Sequence, residues 1–532
     1  MVVCADGLAS RVGVEILKKG GNAVDAAVAV GFALAVVHPQ AGNLGGGGYM
    51  VIRMADGETM TIDYRECAPA AASRNMYLDE KGEFVPEWSQ EGGLSAGVPG
   101  SVAGLLLALK KYGTMDIEEV IEPAIDLAEH GFILNYRLAE SLDYFLPQFT
   151  KFPSTAKVFT KNGQPYREGD ALVQKDLAKT LRLIREKGRK GIYKGETAEL
   201  IVAEMRRTGG LITEDDLDDY EPIIRKPLQG SYRGYEILSM GPSSSGGVGL
   251  IQLLNILEGY DISSLGLSSS KTLHIFAEAM KRVYADRAEF LGDQEFTDVP
   301  VDWLISKEYA AERRKEIDLT KATPSREVRH GAEMAEGHSE TTHYSVIDSF
   351  GNVVSTTTTL NDSYGSKVVV DGAGFLLNNE MDDFSAKPGV PNMYGLIGSE
   401  ANSIQPKKRM LSSMTPAIVL KNGKPFMVVG SPGGPTIITT VLQIVTNVID
   451  FKLKIQEAVD ATRIHHQWLP DTLYYEEHGL PIDVVENLRA KGHNVVEREG
   501  TQGRVDAILI DHEKGLIYGV SDPRGYGEAV GY

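Results

Sequence analysis

A threonine that opens a strand, with a second threonine held beside it, is the arrangement with the most chemical consequence in this 532-residue chain. Thr341-Thr342-His343-Tyr344-Ser345-Val346-Ile347-Asp348 and Val353-Val354-Ser355-Thr356-Thr357-Thr358-Thr359-Leu360-Asn361 are rich in β-branched and aromatic residues. Split by Ser349-Phe350-Gly351-Asn352, they read as a β-hairpin. With Asp348 facing Val353 across the turn, Thr341 and Thr342 lie beside Thr359 and Leu360. A polar, charged loop, His330 to Glu340, runs straight into the first threonine. A threonine hydroxyl is a poor nucleophile at neutral pH and needs a base. If the peptide bond before Thr341 is cut, the freed α-amine, with a reference pKa of about 7.7–8.0, can serve as that base. The hairpin establishes proximity and not cleavage, because threonine-rich strands also follow from β-propensity alone.

A second hairpin gathers another set of polar groups. Ala417 to Lys421 and Lys424 to Val429 flank Asn422-Gly423, a type I′ turn signal. Pairing Lys421 with Lys424 brings Ser413 near Pro432 and Gly433. Val505 to Ile510 and Leu516 to Val520 form a third hairpin. Met50 to Glu66 forms another, joined through Asp56-Gly57 and ending at Arg65.

The rest of the chain must position these pieces. Residues 8 to 54 read as helix, Gly20-Gly21-Asn22 cap, helix, glycine-rich turn and strand. No Lys-Ser/Thr follows Gly45-Gly46-Gly47-Gly48, so this is not a phosphate loop but a loop allowing close backbone approach. Gly97 to about Asp293 is mainly helical, with helices at Val102–Tyr112, Ile117–Glu129 and Lys271–Phe290. In the last, Leu273, Phe276, Ala277, Met280 and Tyr284 form an apolar stripe assigned to core packing. Gly241-Pro242-Ser243-Ser244-Ser245-Gly246-Gly247 lacks the G-x-S-x-G spacing of a serine nucleophile and reads as a loop. Pro300 to Glu340 is charged and aperiodic, an exposed tail able to move after a cut. Hairpins between helical stretches point to sheets sandwiched by helices.

Composition bounds the function. The length implies more than one lobe, and 42% hydrophobic with 24% charged residues is ordinary for a globular protein. A formal charge of −19 argues against nucleic acid or an anionic membrane as partner. No apolar run is long enough to span a bilayer; the longest, Ala23 to Val37, contains Asp25 and suits a buried helix. Cys4 and Cys67 form neither a disulfide framework nor a metal cluster, and read as buried free thiols, a single bridge being possible but unsupported.

Several motifs in register over the whole chain resemble the γ-glutamyltranspeptidases, or glutathione hydrolases. They are Gly20-Gly21-Asn22-Ala23-Val24-Asp25-Ala26-Ala27, His38-Pro39-Gln40-Ala41-Gly42-Asn43-Leu44, Thr341-Thr342-His343-Tyr344-Ser345-Val346 and Leu376-Leu377-Asn378-Asn379-Glu380-Met381-Asp382-Asp383-Phe384. Leu411-Ser412-Ser413-Met414, Gly430-Ser431-Pro432-Gly433-Gly434 and Ser521-Asp522-Pro523-Arg524 complete them. The resemblance implies an α/β (α+β) fold, the four-layer αββα sandwich of N-terminal-nucleophile hydrolases. It implies self-cleavage between Glu340 and Thr341, giving a large subunit (1–340) and a small one (341–532) that stay together as one intertwined unit.

By the same resemblance Thr341 is nucleophile and, through its amine, base, with Thr359 orienting it. The N–H groups of Gly433 and Gly434 hold the oxyanion. Arg65, Ser412 and Ser413 hold the α-carboxylate of a glutamyl group, and Asn361, Glu380 and Asp383 its ammonium. These are opposed charge sets at two ends of a pocket. Family members carry Gln or Glu at the position of Glu380; a second carboxylate strengthens the ammonium grip and shifts the pKa of Asp383 if both are buried. Lys387 to Gly395 resembles a lid loop with Tyr394 as its aromatic, which excludes water and long polymers. His465-His466-Gln467-Trp468 resembles a family motif but has no metal-ligand pattern and is assigned to packing.

The implied partners are glutathione and other γ-glutamyl compounds as donors, and water, amino acids or dipeptides as acceptors, with no cofactor or metal. Met1 to Ala5 carries no secretion signal, whereas such proteins usually bear one upstream of this point, so the implied location is periplasmic or secreted. Two rivals stand: a cephalosporin (glutaryl) acylase of the same superfamily, and an unprocessed, non-catalytic binding protein on the same scaffold.

Overall fold

The computed structural model describes residues 1–328 and 341–532. Thirteen strands form two antiparallel sheets: β1 (Val2–Cys4), β2 (Gly47–Arg53), β3 (Thr59–Asp63), β4 (Ile223–Arg225), β5 (Leu228–Tyr232), β6 (Tyr235–Ser239), β7 (Thr341–Ile347), β8 (Val353–Thr359), β9 (Ala417–Lys421), β10 (Lys424–Gly430), β11 (Asp506–Asp511), β12 (Leu516–Ser521) and β13 (Glu528–Val530). The first sheet runs β13-β1-β7-β8-β2-β3-β4, and the second β12-β11-β10-β9-β6-β5. Strands from before and after residue 340 are interleaved in both sheets, so neither part has a complete sheet of its own.

Alternation along the strands creates three cores, because successive side chains face opposite sides of a sheet. Val3, Val51 and Val353 of the first sheet meet Ile418, Val428 and Ile508 of the second. Their neighbours Val2, Met50, Ile52, Tyr344 and Val354 point outward onto helices α1 (Gly7–Lys18), α2 (Ala23–Val37), α3 (Ser101–Tyr112) and α4 (Ile117–His130). On the second sheet Val419, Met427, Val429 and Ala507 point outward onto α5 (Gly246–Leu257), α6 (Ser270–Phe290) and α7 (Thr436–Ile449). Helix, sheet, sheet and helix follow in that order, which is the expected four-layer αββα sandwich.

Helix α2 is buried along its whole length. Its one acid, Asp25, closes a capping box with Asn22 and accepts from Thr114 and Met115, so no bare charge is buried. Asp348, at the turn between β7 and β8, accepts from the Ala23 N–H at 2.9 Å and ties that hairpin to the start of α2.

The register of this hairpin is one residue away from the expected one. Ile347, not Asp348, lies opposite Val353, and Thr341 lies directly opposite Thr359. Asp348 instead pairs with Asn352 around a three-residue loop, with Gly351 at φ +94° and the Asp348 carboxylate taking the Phe350 and Asn352 N–H groups. In the second hairpin Lys421 pairs with Lys424 as expected, but a bulge between Val419 and Leu420 shifts every later pair by one.

Three other expectations change. Gly47 and Gly48 belong to β2 rather than to a loop, pairing with Thr359 and Thr358, although close backbone approach holds. Residues 300–328 are not an exposed tail: short helices at Val301–Leu304, Lys307–Lys315 and Ser325–Val328 bury Leu304, Tyr309 and Arg313, the last ion-paired with Asp286 of α6. The remainder of that stretch, with Glu340, lies outside the described residues. Cys4 and Cys67 are both free, Cys4 buried and Cys67 half-buried.

Candidate functional site

Thr341 is the first residue of β7, on the face that points between the sheets. Directly paired residues share a face, so Thr359 points the same way. Thr341 Oγ1 donates to Thr359 Oγ1 at 3.4 Å, and the Asn361 N–H donates to Thr359 Oγ1 at 2.8 Å. Along the same face His343 bonds Thr357 Oγ1 at 2.9 Å and Ser345 Oγ at 3.1 Å. Burial pushes the His343 imidazole down to about 3, so this inter-sheet line is neutral. The sheets meet closely here: a Cβ on Gly430 would lie 2.3 Å from the His343 ring.

A cleft beside Thr341 is lined by Arg65, Thr359, Asn361, Glu380, Asp383, Tyr394, Ser412, Ser413 and Gly434, so all but one of the sequence-derived site residues in the described regions meet in one place. The remaining one, Gly433, immediately precedes Gly434. Among the described residues neither N–H has an acceptor, and both lie just before the first turn of α7, where the helix dipole favours negative charge. Gly433 has φ +132° and Gly434 φ +50°, conformations that favour glycine.

The charged groups differ from the expected layout. Instead of standing at two ends of a pocket, they touch: Arg65 Nη1 lies 2.5 Å from Glu380, and Nη2 lies 2.6 Å from Asp383. Glu66 approaches the same guanidinium at 3.5 Å. A fully buried guanidinium takes the nearest carboxylates, since leaving it bare would cost far more than the pairing geometry does. Burial, which alone would lower it, is overcome by Glu380, Glu66 and Asp383, and the Arg65 pKa is raised. Three carboxylates exceed one arginine. Burial pushes Glu380 well above its ordinary range, Glu66 up to about 8, and Asp383 upward against the pull of Arg65.

Several participants carry no local sequence signal. Arg287, one turn beyond Tyr284 on the same face of α6, donates to Ser413 Oγ at 3.3 Å and Ser245 Oγ at 3.0 Å. The loop Ser243–Ser245 is a loop, as expected, but it also builds the site: it exchanges backbone bonds with Ser412, and Ser244 Oγ and Ser245 Oγ donate to Met414 O and Ser412 O. Asn392 reaches Asp383 at 3.3 Å, and the Met393 N–H donates to Asp382 at 3.0 Å. With Tyr394 Oη donating to Asn361 O at 2.8 Å, the segment expected to be a lid lies across the cleft. These partners are 9 to 170 positions apart, beyond the reach of any spacing rule.

His465 bonds Thr439 Oγ1 and Gln467 in a buried network, and the buried His466 lies 3.3 Å from the exposed Asp471. Among the described residues, His274, Glu278 and His493 bring ligand-type atoms together. There Glu278 is already held by Lys281 and Arg282, and the two imidazoles bond each other at 2.7 Å.

Four layers around a buried hydroxyl at the start of an inner strand define an N-terminal-nucleophile hydrolase. The family model described as Gamma-glutamyltranspeptidase matches residues 9–532, and the chain belongs to that family. It is 51% identical to the glutathione hydrolase proenzyme of Escherichia coli (strain K12), over 98% of this chain and 90% of that protein. The fold is similar to the crystal structure of cephalosporin acylase from Bacillus halodurans (TM-score 0.87, 28% identity, 99% of this chain and 94% of that one). It is also similar to the crystal structure of Helicobacter pylori gamma-glutamyltranspeptidase (TM-score 0.60, 52% identity, 60% of this chain and 93% of that one).

Proposed function

We propose that Thr341, once its amine is freed by cleavage after Glu340, takes the γ-glutamyl group from glutathione and related γ-glutamyl compounds. The protein is then a γ-glutamyltransferase and glutathione hydrolase, as its family membership states. The observation that carries the reading is the meeting of Thr341, Thr359 and the Arg65–Glu380–Asp383 cluster in one cleft.

The hydroxyl attacks the γ-carbonyl carbon while its proton passes to the α-amine of Thr341. Thr359 orients the hydroxyl, and the N–H groups of Gly433 and Gly434 receive the oxyanion. The leaving amine takes the proton, and an ester remains on Thr341. Water or a second amine then attacks the ester and restores the hydroxyl.

The charge cluster selects the head group. A glutamyl donor brings one carboxylate and one ammonium. Its carboxylate takes a place on Arg65 beside Ser412 and Ser413, and its ammonium takes the displaced carboxylates of Asp383 and Glu380 beside Asn361. The zwitterion exchanges partners with the cluster and adds no net charge to it. A glutaryl group lacks the ammonium and would add a fourth carboxylate to a site that already has three.

Turnover of a γ-glutamyl anilide against a glutaryl anilide tests this. Preference for the first supports the reading. Preference for the second replaces it with an acylase, the activity named for the Bacillus halodurans structure. Denaturing electrophoresis tests the cut: two bands support maturation into large (1–340) and small (341–532) subunits, and a single persistent band supports an unprocessed binding protein. A periplasmic or secreted location follows from the family reading and is tested by cell fractionation; among the described residues no helix is long and apolar enough to cross a membrane.

A further inference from the structure

One arginine of the site is crowded with acids, and the other has none. Arg65, in the wall of the cleft, meets Glu66, Glu380 and Asp383. Arg287, in the last turn of α6, is 7% exposed. Among the described residues its guanidinium bonds only the hydroxyl oxygens of Ser245 and Ser413 and lies in no ion pair. Tyr284 and Asp383 favour its charge from beyond contact and Arg65 opposes it, and burial prevails: its pKa falls where that of Arg65 rises. A buried charge without a counter-ion is costly, and the carbonyl ends of one helix turn offset only part of that cost.

The hydroxyls in front of Arg287 have their protons unspent. Ser413 Oγ accepts from Arg287 Nη2 at 3.3 Å, and Ser412 Oγ accepts from the Met414 N–H at 3.1 Å. Both serines line the cleft, and among the described residues neither hydroxyl has an acceptor. A hydroxyl whose lone pair is taken from behind by a guanidinium turns its proton away from it. Ser413 therefore offers its proton to the cleft. Ser245 Oγ accepts from Arg287 Nε at 3.0 Å and donates to Ser412 O at 2.6 Å, which ties the guanidinium to the backbone of the serine pair. Two hydroxyl donors backed by a buried positive charge fit the two oxygens of a carboxylate.

We propose that Arg287 is the positioning residue by which this end of the cleft tells an α-carboxylate from a neutral group. It aims the Ser413 hydroxyl at the donor's carboxylate and supplies positive charge there, while Arg65 is engaged by Glu380 and Asp383. The proposal rests on the γ-glutamyl reading. Arg287 stands behind Ser413 rather than in the cleft wall, so it acts through that hydroxyl and no bond is made or broken on it.

The test compares a γ-glutamyl anilide with its α-carboxamide analogue as donors for the mature protein, in the wild type, Arg287→Met, Arg287→Lys and Ser245→Ala. The wild type prefers the carboxylate. In Arg287→Met the KM of the carboxylate donor rises about tenfold or more, well beyond any change in kcat, while that of the carboxamide hardly moves, so the preference collapses. Arg287→Lys, which keeps the charge without the planar fork, recovers part of the preference, and Ser245→Ala loses part of it. An unchanged preference in Arg287→Met overturns the proposal. Equal losses for both donors also overturn it, because they mark a merely structural role. If Arg287→Met does not mature, the wild-type preference persisting in both Arg287→Lys and Ser245→Ala is the overturning result. A wild type that turns over neither donor overturns the γ-glutamyl reading itself, whereas one that accepts both donors equally overturns only the role of Arg287.

Discussion

The two walls of the cleft around Thr341 are built on opposite principles. On one side the inter-sheet line of Thr341, Thr359, Thr357, His343 and Ser345 is a chain of neutral hydroxyls and one neutral imidazole. On the other, Arg65, Glu66, Glu380 and Asp383 pack four ionisable groups with little or no exposure. On the proposed function, the difference separates two tasks. A nucleophile activated by its own amine needs neighbours that fix its direction without moving that amine's pKa, and neutral hydroxyls do so. A head-group pocket needs charges that only a zwitterion can rearrange without penalty.

Thr341→Ala breaks the neutral side most deeply. It leaves one band on a denaturing gel and lowers turnover by about 10⁴-fold or more, measured with a γ-glutamyl anilide. On the charged side, Arg65→Leu leaves three buried carboxylates facing one another. It costs about 3–5 kcal/mol of stability in urea unfolding and removes donor saturation. Thr359→Val removes the acceptor used by Thr341 and by the Asn361 N–H while keeping the shape. It lowers kcat by roughly 10–100-fold and stability by about 1 kcal/mol.

The smallest effect sharpens the contrast through pH. Burial lifts Glu66 from 4.5 to about 8, so the folded protein binds this proton more tightly than the unfolded chain does. Stability from this group is therefore full below 4.5 and is lost as pH rises towards about 8. Glu66→Gln flattens that part of the melting-temperature profile. The same substitution at His343 acts with the opposite sign: burial lowers this ring from 6.5 to about 3, so its contribution is full above 6.5, is lost as pH falls towards about 3, and disappears in the variant.

Much of this was legible in the chain itself. The alternation of Val353 and Val354, or of Ile418 and Val419, assigns residues to inner and outer cores, and the Asn422-Gly423 turn fixes its hairpin. Exact register was not. Whether Thr341 faces Thr359 or Leu360 turns on how the Asp348 carboxylate folds a three-residue loop, and on the Ala23 N–H that holds it from 325 positions away. Arg287 was invisible for the same reason: its partner Ser413 is 126 residues distant.

The sequence by itself determined which residue types had to meet: a threonine at a strand start, a glycine pair ahead of a helix, one arginine and a set of acids. Local propensities and side-chain periodicity are properties of short windows, so they survive in one dimension. Which charges touch and which hydroxyl lies opposite which depend on packing two sheets and their helices together. Burial, pairing and desolvation exist only once distant segments have excluded water from one another, and only the tertiary structure decided them.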